Sequence, residues 1–202
     1  VKDAATRSGS HLVWLWGGEG SGRSHLLQAA VAAATAQNHR SAWLPLSMEG
    51  LVPEMLEGMG QLDLLCVDDV DAVAGDAAWE RALFNLFEEL RVHDARLIVT
   101  AGMPANDVAF DLPDIKSRLA SGATWRLNNM NDDELLAALQ LRSNWRGLDL
   151  PDETGQFLLK RVERSTKSLF TLLDKLDHEA LTAKRKLTVP FVSSVLDSVL
   201  QG

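Results

Sequence analysis

Gly17-Gly18-Glu19-Gly20-Ser21-Gly22-Arg23-Ser24 is the most distinctive run in the sequence, with four glycines in eight residues. It follows an apolar run, His11-Leu12-Val13-Trp14-Leu15-Trp16, and precedes a Leu- and Ala-rich segment over residues 24–37. A short apolar run ending in glycines reads as a buried strand entering a loop, and the good helix formers behind it predict a helix. Strand, glycine loop and helix in that order are the setting of a phosphate-binding loop. Glycines let the backbone turn sharply and present successive N–H groups to phosphate oxygens. The helix N-terminus adds its partial positive charge. Residues Gly17, Gly18, Glu19, Gly20, Ser21, Gly22, Arg23, Ser24 and His25 are therefore the candidate nucleotide contacts. The Ser24 hydroxyl is also a candidate Mg²⁺ ligand.

Such loops carry Lys where this chain has Arg23. Arginine keeps the charge and can grip two phosphate oxygens, but its planar fork is bulkier and less adaptable than an ammonium. Binding of ADP or ATP with Mg²⁺ is expected, with a lean toward the diphosphate and weak intrinsic hydrolysis. The other reading of the loop, taken alone, is a Gly/Ser turn with no ligand.

Outward from the loop, strand-like runs occur at residues 41–46, 62–67, 96–100 and 123–127. Between them, helices are expected over residues 51–59 and 79–92, and a segment rich in Pro and Asp leads to Ile115–Ala120. The second of these rests on a stripe of Leu83, Phe84, Leu86, Phe87 and Leu90. Alternating strands and helices predict an α/β domain with a mostly parallel sheet covered on both faces. Trp14, Trp16 and Trp43 fall in strands and read as core. The run 62–67 ends in Asp68-Asp69, where a phosphate-loop fold needs an acidic residue for metal and water. Asp68 is placed on the metal, through water, and Asp69 on the attacking water. Thr100, at the next strand end, would bond a water or the γ-phosphate. Arg118 would reach a neighbouring molecule as an arginine finger, stabilising charge on its γ-phosphate. Taken alone, an Arg there also reads as an ordinary surface ion-pair residue.

After Asn128 no strand pattern appears. Asn131 reads as an N-cap with Glu134 completing a capping box. Further helices are expected over residues 151–164 and 167–184, and from 190. The expected division is an α/β nucleotide-binding domain at 1–128 and a helical lid domain at 129–202.

The 202 residues carry a formal net charge of −8 and 46% hydrophobic residues. That charge opposes a broad duplex-DNA face, which needs clustered Lys and Arg. One cysteine, Cys66, leaves no disulfide framework or Cys-based zinc site within the chain. The five histidines are scattered and read as surface or cap positions. No apolar run reaches the roughly 20 residues of a membrane span and no signal peptide is visible. A cytoplasmic protein is the expectation.

With these segments in place, the chain resembles the DnaA-related branch of the AAA+ family, most closely its regulatory members. The carrying stretches are Gly20 to Leu27, Val67 to Val70 with Ala74-Gly75-Asp76 and Trp79-Glu80, and Phe84 to Phe87. Others are Leu112-Pro113-Asp114 with Ser117-Arg118-Leu119, Leu139 to Arg142, Phe157 to Arg161, Leu172 to Lys186 and Val189 to Val192. An Arg in place of the loop Lys is itself a trait of those regulators. The resemblance implies a P-loop AAA+ three-layer α/β/α fold with a helical lid. It also implies a regulator that promotes hydrolysis of ATP bound to the initiator DnaA, with Arg118 at the finger position. Lys167 falls near the lid position of a sensor arginine, where lysine keeps charge but gives up bidentate contact. Gly102 and Met103 replace the polar residues that relatives tend to carry.

The partners implied are DnaA and the DNA polymerase sliding clamp, with DNA engaged only indirectly. Residues 1–10, VKDAATRSGS, do not show the short Gln-containing clamp motif of such regulators. The chain stops before the helix-turn-helix domain of an initiator, and whether it forms a homo-oligomer stays open. Two other functions stand beside regulation: a nucleotide-gated adaptor without catalysis, and a stand-alone ATPase such as a helicase loader.

Overall fold

A computed structural model describes residues 10–162, 166–183 and 187–200. The chain divides at Asn128 and Asn129 into two compact units.

The first unit is built on five parallel strands: β1 (Leu12–Trp16), β2 (Ser41–Pro45), β3 (Leu64–Asp68), β4 (Arg96–Ala101) and β5 (Ala123–Arg126). Their order across the sheet is β2-β3-β4-β1-β5. Register pairs Trp14 with Val99, and Val67 with the same Val99 from the other side. Successive side chains alternate between faces, so each strand feeds two cores. Leu64, Cys66 and Ile98 join Val13 and Leu15 against Leu27, Ala30 and Ala34 of helix α1 (Arg23–Thr35). Trp14, Leu65, Val67, Leu97 and Val99 face the other way, onto the core shared with α2 (Ala77–Val92) and α3 (Pro113–Ala120). Because both faces are covered, the inner strands read as continuous apolar runs rather than alternating ones.

Each helix has a local cause. The α1 stripe is small, Leu27, Ala30 and Ala34, spaced at helical intervals. Asp76 caps α2, its Oδ1 accepting from the N–H groups of Ala78 (2.9 Å) and Trp79 (3.2 Å), which satisfies two of the orphan donors of a helix start. Pro113 opens α3, where its missing N–H and fixed φ are harmless.

Residues 51–59 do not form the expected α-helix. They hold a 3-10 turn, Pro53–Leu56, and a second, Met59–Gln61, begins where that stretch ends. Pro53 holds Val52 extended, at φ −131° and ψ 149°, and Gly58 takes φ 81°. Both break a continuous helix. Trp14 is fully buried core, whereas Trp16 and Trp43 are only partly buried. Arg126 lies over the Trp16 ring at 5.1 Å, and Trp43 turns its indole N–H to Asp68.

The second unit is helical: α4 (Asp132–Trp145), α5 (Asp152–Arg161), α6 (Thr166–Ala183) and α7 (Val189–Leu200). Asn131 and Glu134 form a reciprocal capping box, worth about 1 kcal/mol to the start of α4. Leu135, Leu139, Leu158, Leu169, Leu173 and Val192 centre its core. Arg146 ties α4 to α6 through Asp174 (2.7 Å) and Asp177 (3.3 Å). Among the described residues no helix is long and apolar enough to cross a membrane.

Candidate functional site: a phosphate loop with its cation paired

Parallel strands place all their carboxyl ends on one edge of a sheet, and open α/β sheets bind ligands outside that edge. The residues after β1, β3 and β4 therefore converge although they are far apart in sequence.

Gly17 leaves β1 with its N–H on the Ala101 carbonyl at 3.3 Å. A Cβ at Gly17 would collide with the Leu127 carbonyl and come within 2.8 Å of Ser21 Oγ, so only glycine fits there. Gly20 and Gly22 take φ 78° and 85°, the left-handed region that favours glycine. The loop closes through Ser21 N–H on the Gly18 carbonyl at 3.2 Å. Helix α1 then begins with no side-chain cap and no acidic residue in its first turn, leaving its positive end for an anion. The Ser21 residue is 7% exposed and its hydroxyl is buried with no hydrogen-bond partner among the described residues. One guanidinium nitrogen of Arg23, Nη1, is likewise buried and unbonded. Unmet buried polar groups are costly, and an anion seated in the loop would satisfy both. Gly18, Glu19 and His25 are exposed around the loop, and Ser24 is half-buried at the second position of α1.

The other Arg23 nitrogen, Nη2, stands 3.1 Å from Asp69 Oδ1. Asp69 follows β3 with φ 53°, uncommon for a residue other than glycine, and this kink carries its side chain away from the strand line. Its second oxygen accepts from the Ser47 hydroxyl at 3.0 Å.

Asp68 is 1% exposed and fully engaged. The Thr100 hydroxyl donates to Oδ1 at 2.5 Å, and the Trp43 indole N–H donates to Oδ2 at 3.2 Å. The same Thr100 oxygen accepts the Asp69 backbone N–H at 3.0 Å. Thr100 thus locks the ends of β3 and β4 together. Asp71, which sequence reasoning passed over, accepts the Gly102 N–H at 2.9 Å. A Cβ at Gly102 would lie 3.1 Å from that Asp71 oxygen and 3.8 Å from Arg23 Nη1. Asp71 carried a sequence signal, the acidic run Asp68-Asp69-Val70-Asp71, whereas Ser47 carried none.

Arg118 stands apart from this cluster. It lies in the last turn of α3, with Ile115 and Leu119 buried on the helix's inner face. Its guanidinium pairs with Glu88 of α2, and its side chain is 36% exposed. Lys167 belongs to α6, and its side chain lies outside the described residues, as does the stretch 1–9 that bears on the clamp motif.

A glycine loop after β1, a helix start without a side-chain cap and paired acids at the end of β3 are the arrangement of a P-loop nucleotide-binding protein. Residues 2–128 match the bacterial DnaA ATPase domain family, and residues 132–196 match the family described as the lid domain of Hda. The chain belongs to the DnaA-related AAA+ family, with an Hda-type lid.

Solved structures agree on the fold. Domain III of the Thermotoga maritima replication initiation protein DnaA is 17% identical at a TM-score of 0.77, covering 98% of this chain and 88% of that one. AMPPCP-bound DnaA from Aquifex aeolicus is 19% identical at a TM-score of 0.70, covering 87% and 58%. A point mutant of Thermotoga maritima RuvB is 14% identical at a TM-score of 0.70, covering 98% and 65%. The alignment with the Aquifex aeolicus chain thus takes in only 58% of that protein's length.

Proposed function

We propose that this chain is a regulator of replication initiation that binds an adenine nucleotide in its own loop and promotes hydrolysis of ATP held by DnaA. The supporting observation is a division of labour among its arginines. Arg23 sits in the phosphate loop facing Asp69. Arg118 stands partly exposed on another helix and, among the described residues, pairs with Glu88 rather than with any residue of that loop. A cation so placed is available to a second molecule's γ-phosphate, where such a group stabilises developing charge. The family match and the Hda-type lid support DnaA as that molecule.

In the chain's own site, the loop N–H groups, Ser21 and Arg23 would hold the phosphates. Ser24 would hold Mg²⁺ directly, and Asp68, whose oxygens are already bonded, would hold it through water. Bound there, the ion would neutralise phosphate charge. Lys167 is included among the proposed nucleotide contacts. The domain limits 1–128 and 129–202 go with this reading, as do a cytoplasmic location and contact with the clamp.

A second reading has its own observation. The Arg23 and Asp69 pair turns on each other the two groups an ATPase directs at phosphate and water. That favours a nucleotide-gated adaptor that recruits DnaA without catalysis.

The test is single-turnover hydrolysis of labelled ATP preloaded on DnaA, with clamp and DNA, in the presence and absence of this protein. The regulator reading expects acceleration by tenfold or more. The adaptor reading expects binding without acceleration.

A further inference from the structure

Among the described residues, Glu80 is the one carboxylate besides Asp68 that the fold buries almost completely, at 1% exposure. A charge in that position must be paired or hydrogen-bonded, or desolvating it is heavily destabilising. The partners recorded for Glu80 are backbone donors rather than a lysine or arginine. Its Oε1 accepts the N–H of Gly75 at 2.7 Å and of Asp111 at 3.0 Å, and its Oε2 accepts the N–H of Leu112 at 2.7 Å. Three backbone donors, one from the loop just before α2 and two from the loop before α3, thus close on one carboxylate.

The location gives these bonds their meaning. Leu112 is the residue before α3 and offers no side-chain cap to that helix. Pro113, next in line, has no N–H. Glu80 therefore holds from α2 the N–H groups of the N-cap residue Leu112 and of Asp111 before it, and a carboxylate near a helix N-terminus is favoured by the helix dipole. Charge-assisted bonds to backbone N–H groups are roughly twice as strong as neutral ones. The third bond, to Gly75, holds the loop that follows the acidic 3-10 turn Val70–Val73. Helix α3 has only eight residues, and Arg118 is the sixth. Holding the two residues that lead into its first turn fixes the start of the short rod that carries the guanidinium.

We infer that Glu80 is a positioning residue for Arg118: its buried carboxylate clamps the start of α3 and so sets where the guanidinium is presented to a partner's nucleotide. The inference rests on the finger reading of Arg118. It adds that Glu80, which touches neither nucleotide, controls the reach of that group.

Glu80→Gln offers the test, because an amide keeps the size but turns N–H groups toward the backbone donors. Glu80→Asp, one methylene shorter, keeps the charge at a worse distance. Both are compared with wild type and Arg118→Ala, well below their melting temperatures, by amide hydrogen exchange, nucleotide affinity and stimulated hydrolysis. For Glu80→Gln the expected result is exchange at residues 111–119 faster by tenfold or more, with β1 and β3 unchanged. Nucleotide affinity stays within twofold, and the stimulated rate falls about tenfold. Glu80→Asp falls between Glu80→Gln and wild type, and carries the comparison if the Gln variant does not fold.

Unchanged exchange over 111–119 overturns the clamp. Exchange that rises equally in β1 and β3 makes Glu80 a general fold residue and overturns the positioning role. Faster exchange in α3 with full stimulation, while Arg118→Ala abolishes it, also overturns that role. Full stimulation by Arg118→Ala shows that the finger reading has failed, and the positioning role falls with it, while the exchange data still judge the clamp.

Discussion

The Arg23 guanidinium lies 3.1 Å from the Asp69 carboxylate, with the two side chains 17% and 27% exposed. This pair is neither a surface bridge of small consequence nor a fully buried one. Phosphate oxygens entering the loop would compete with Asp69 for the same cation, so nucleotide binding and this ion pair are linked.

Replacing Arg23 with Ala removes the loop's cation and leaves Asp69 with Ser47 as its remaining side-chain partner among the described residues. Nucleotide affinity is expected to fall by tenfold or more by titration calorimetry. Stability is expected to fall by about 1–3 kcal/mol, the scale of leaving a partly buried charged group unpaired. Unchanged affinity would show that Arg23 does not meet the phosphates.

The Glu88 carboxylate is shared by Arg118 and Arg91, the latter at 2.9 Å. In the finger role proposed above, a partner's phosphate would have to draw Arg118 from it. Partly exposed pairs are worth about 1 kcal/mol or less, so Glu88→Gln is expected to raise the stimulated hydrolysis rate by up to about fivefold. A fall in that rate would make Glu88 a support for Arg118 rather than a restraint on it.

Burial in the centre of β3, with the Asp68 charge nearby, pushes the Cys66 thiol up to about 12. The reactive species is the thiolate, so native Cys66 is expected to resist a thiol reagent at pH 8 and to react at the free-thiol rate once denatured. The folded value lies above the ordinary one. Its contribution to stability is therefore complete below about pH 8.5 and is lost as pH rises toward 12. A denaturant midpoint that does not fall between pH 8 and 11 would contradict this.

The sheet and the loop were legible because their signals are local. Trp14 to Ser24 states strand, turn and helix in sequence, and Asp68-Asp69 marks a strand end by its change from apolar to acidic. The segment 51–59 misled although its signals were present: Pro53 and Gly58 outweigh its leucines. What surrounds the acids was not legible. Ser47, Trp43, Thr100 and Gly102 reach Asp68, Asp69 and Asp71 only because parallel strands share one carboxyl edge. Glu80 reads in sequence as an ordinary acid in the first turn of a helix, a position favoured by that helix's own dipole. Two of its three partners lie 31 and 32 residues on.

In the proposed function, hydrolysis takes place on a partner rather than in this protein's own loop. Single-turnover hydrolysis of labelled ATP preloaded on DnaA, with clamp and DNA, tests it most directly when Arg118→Ala and Asp69→Asn are run side by side. Arg118→Ala is expected to lose the stimulation by tenfold or more while Asp69→Asn retains it. Stimulation that survives in Arg118→Ala, or that disappears in Asp69→Asn with Arg118 intact, would contradict the proposed function.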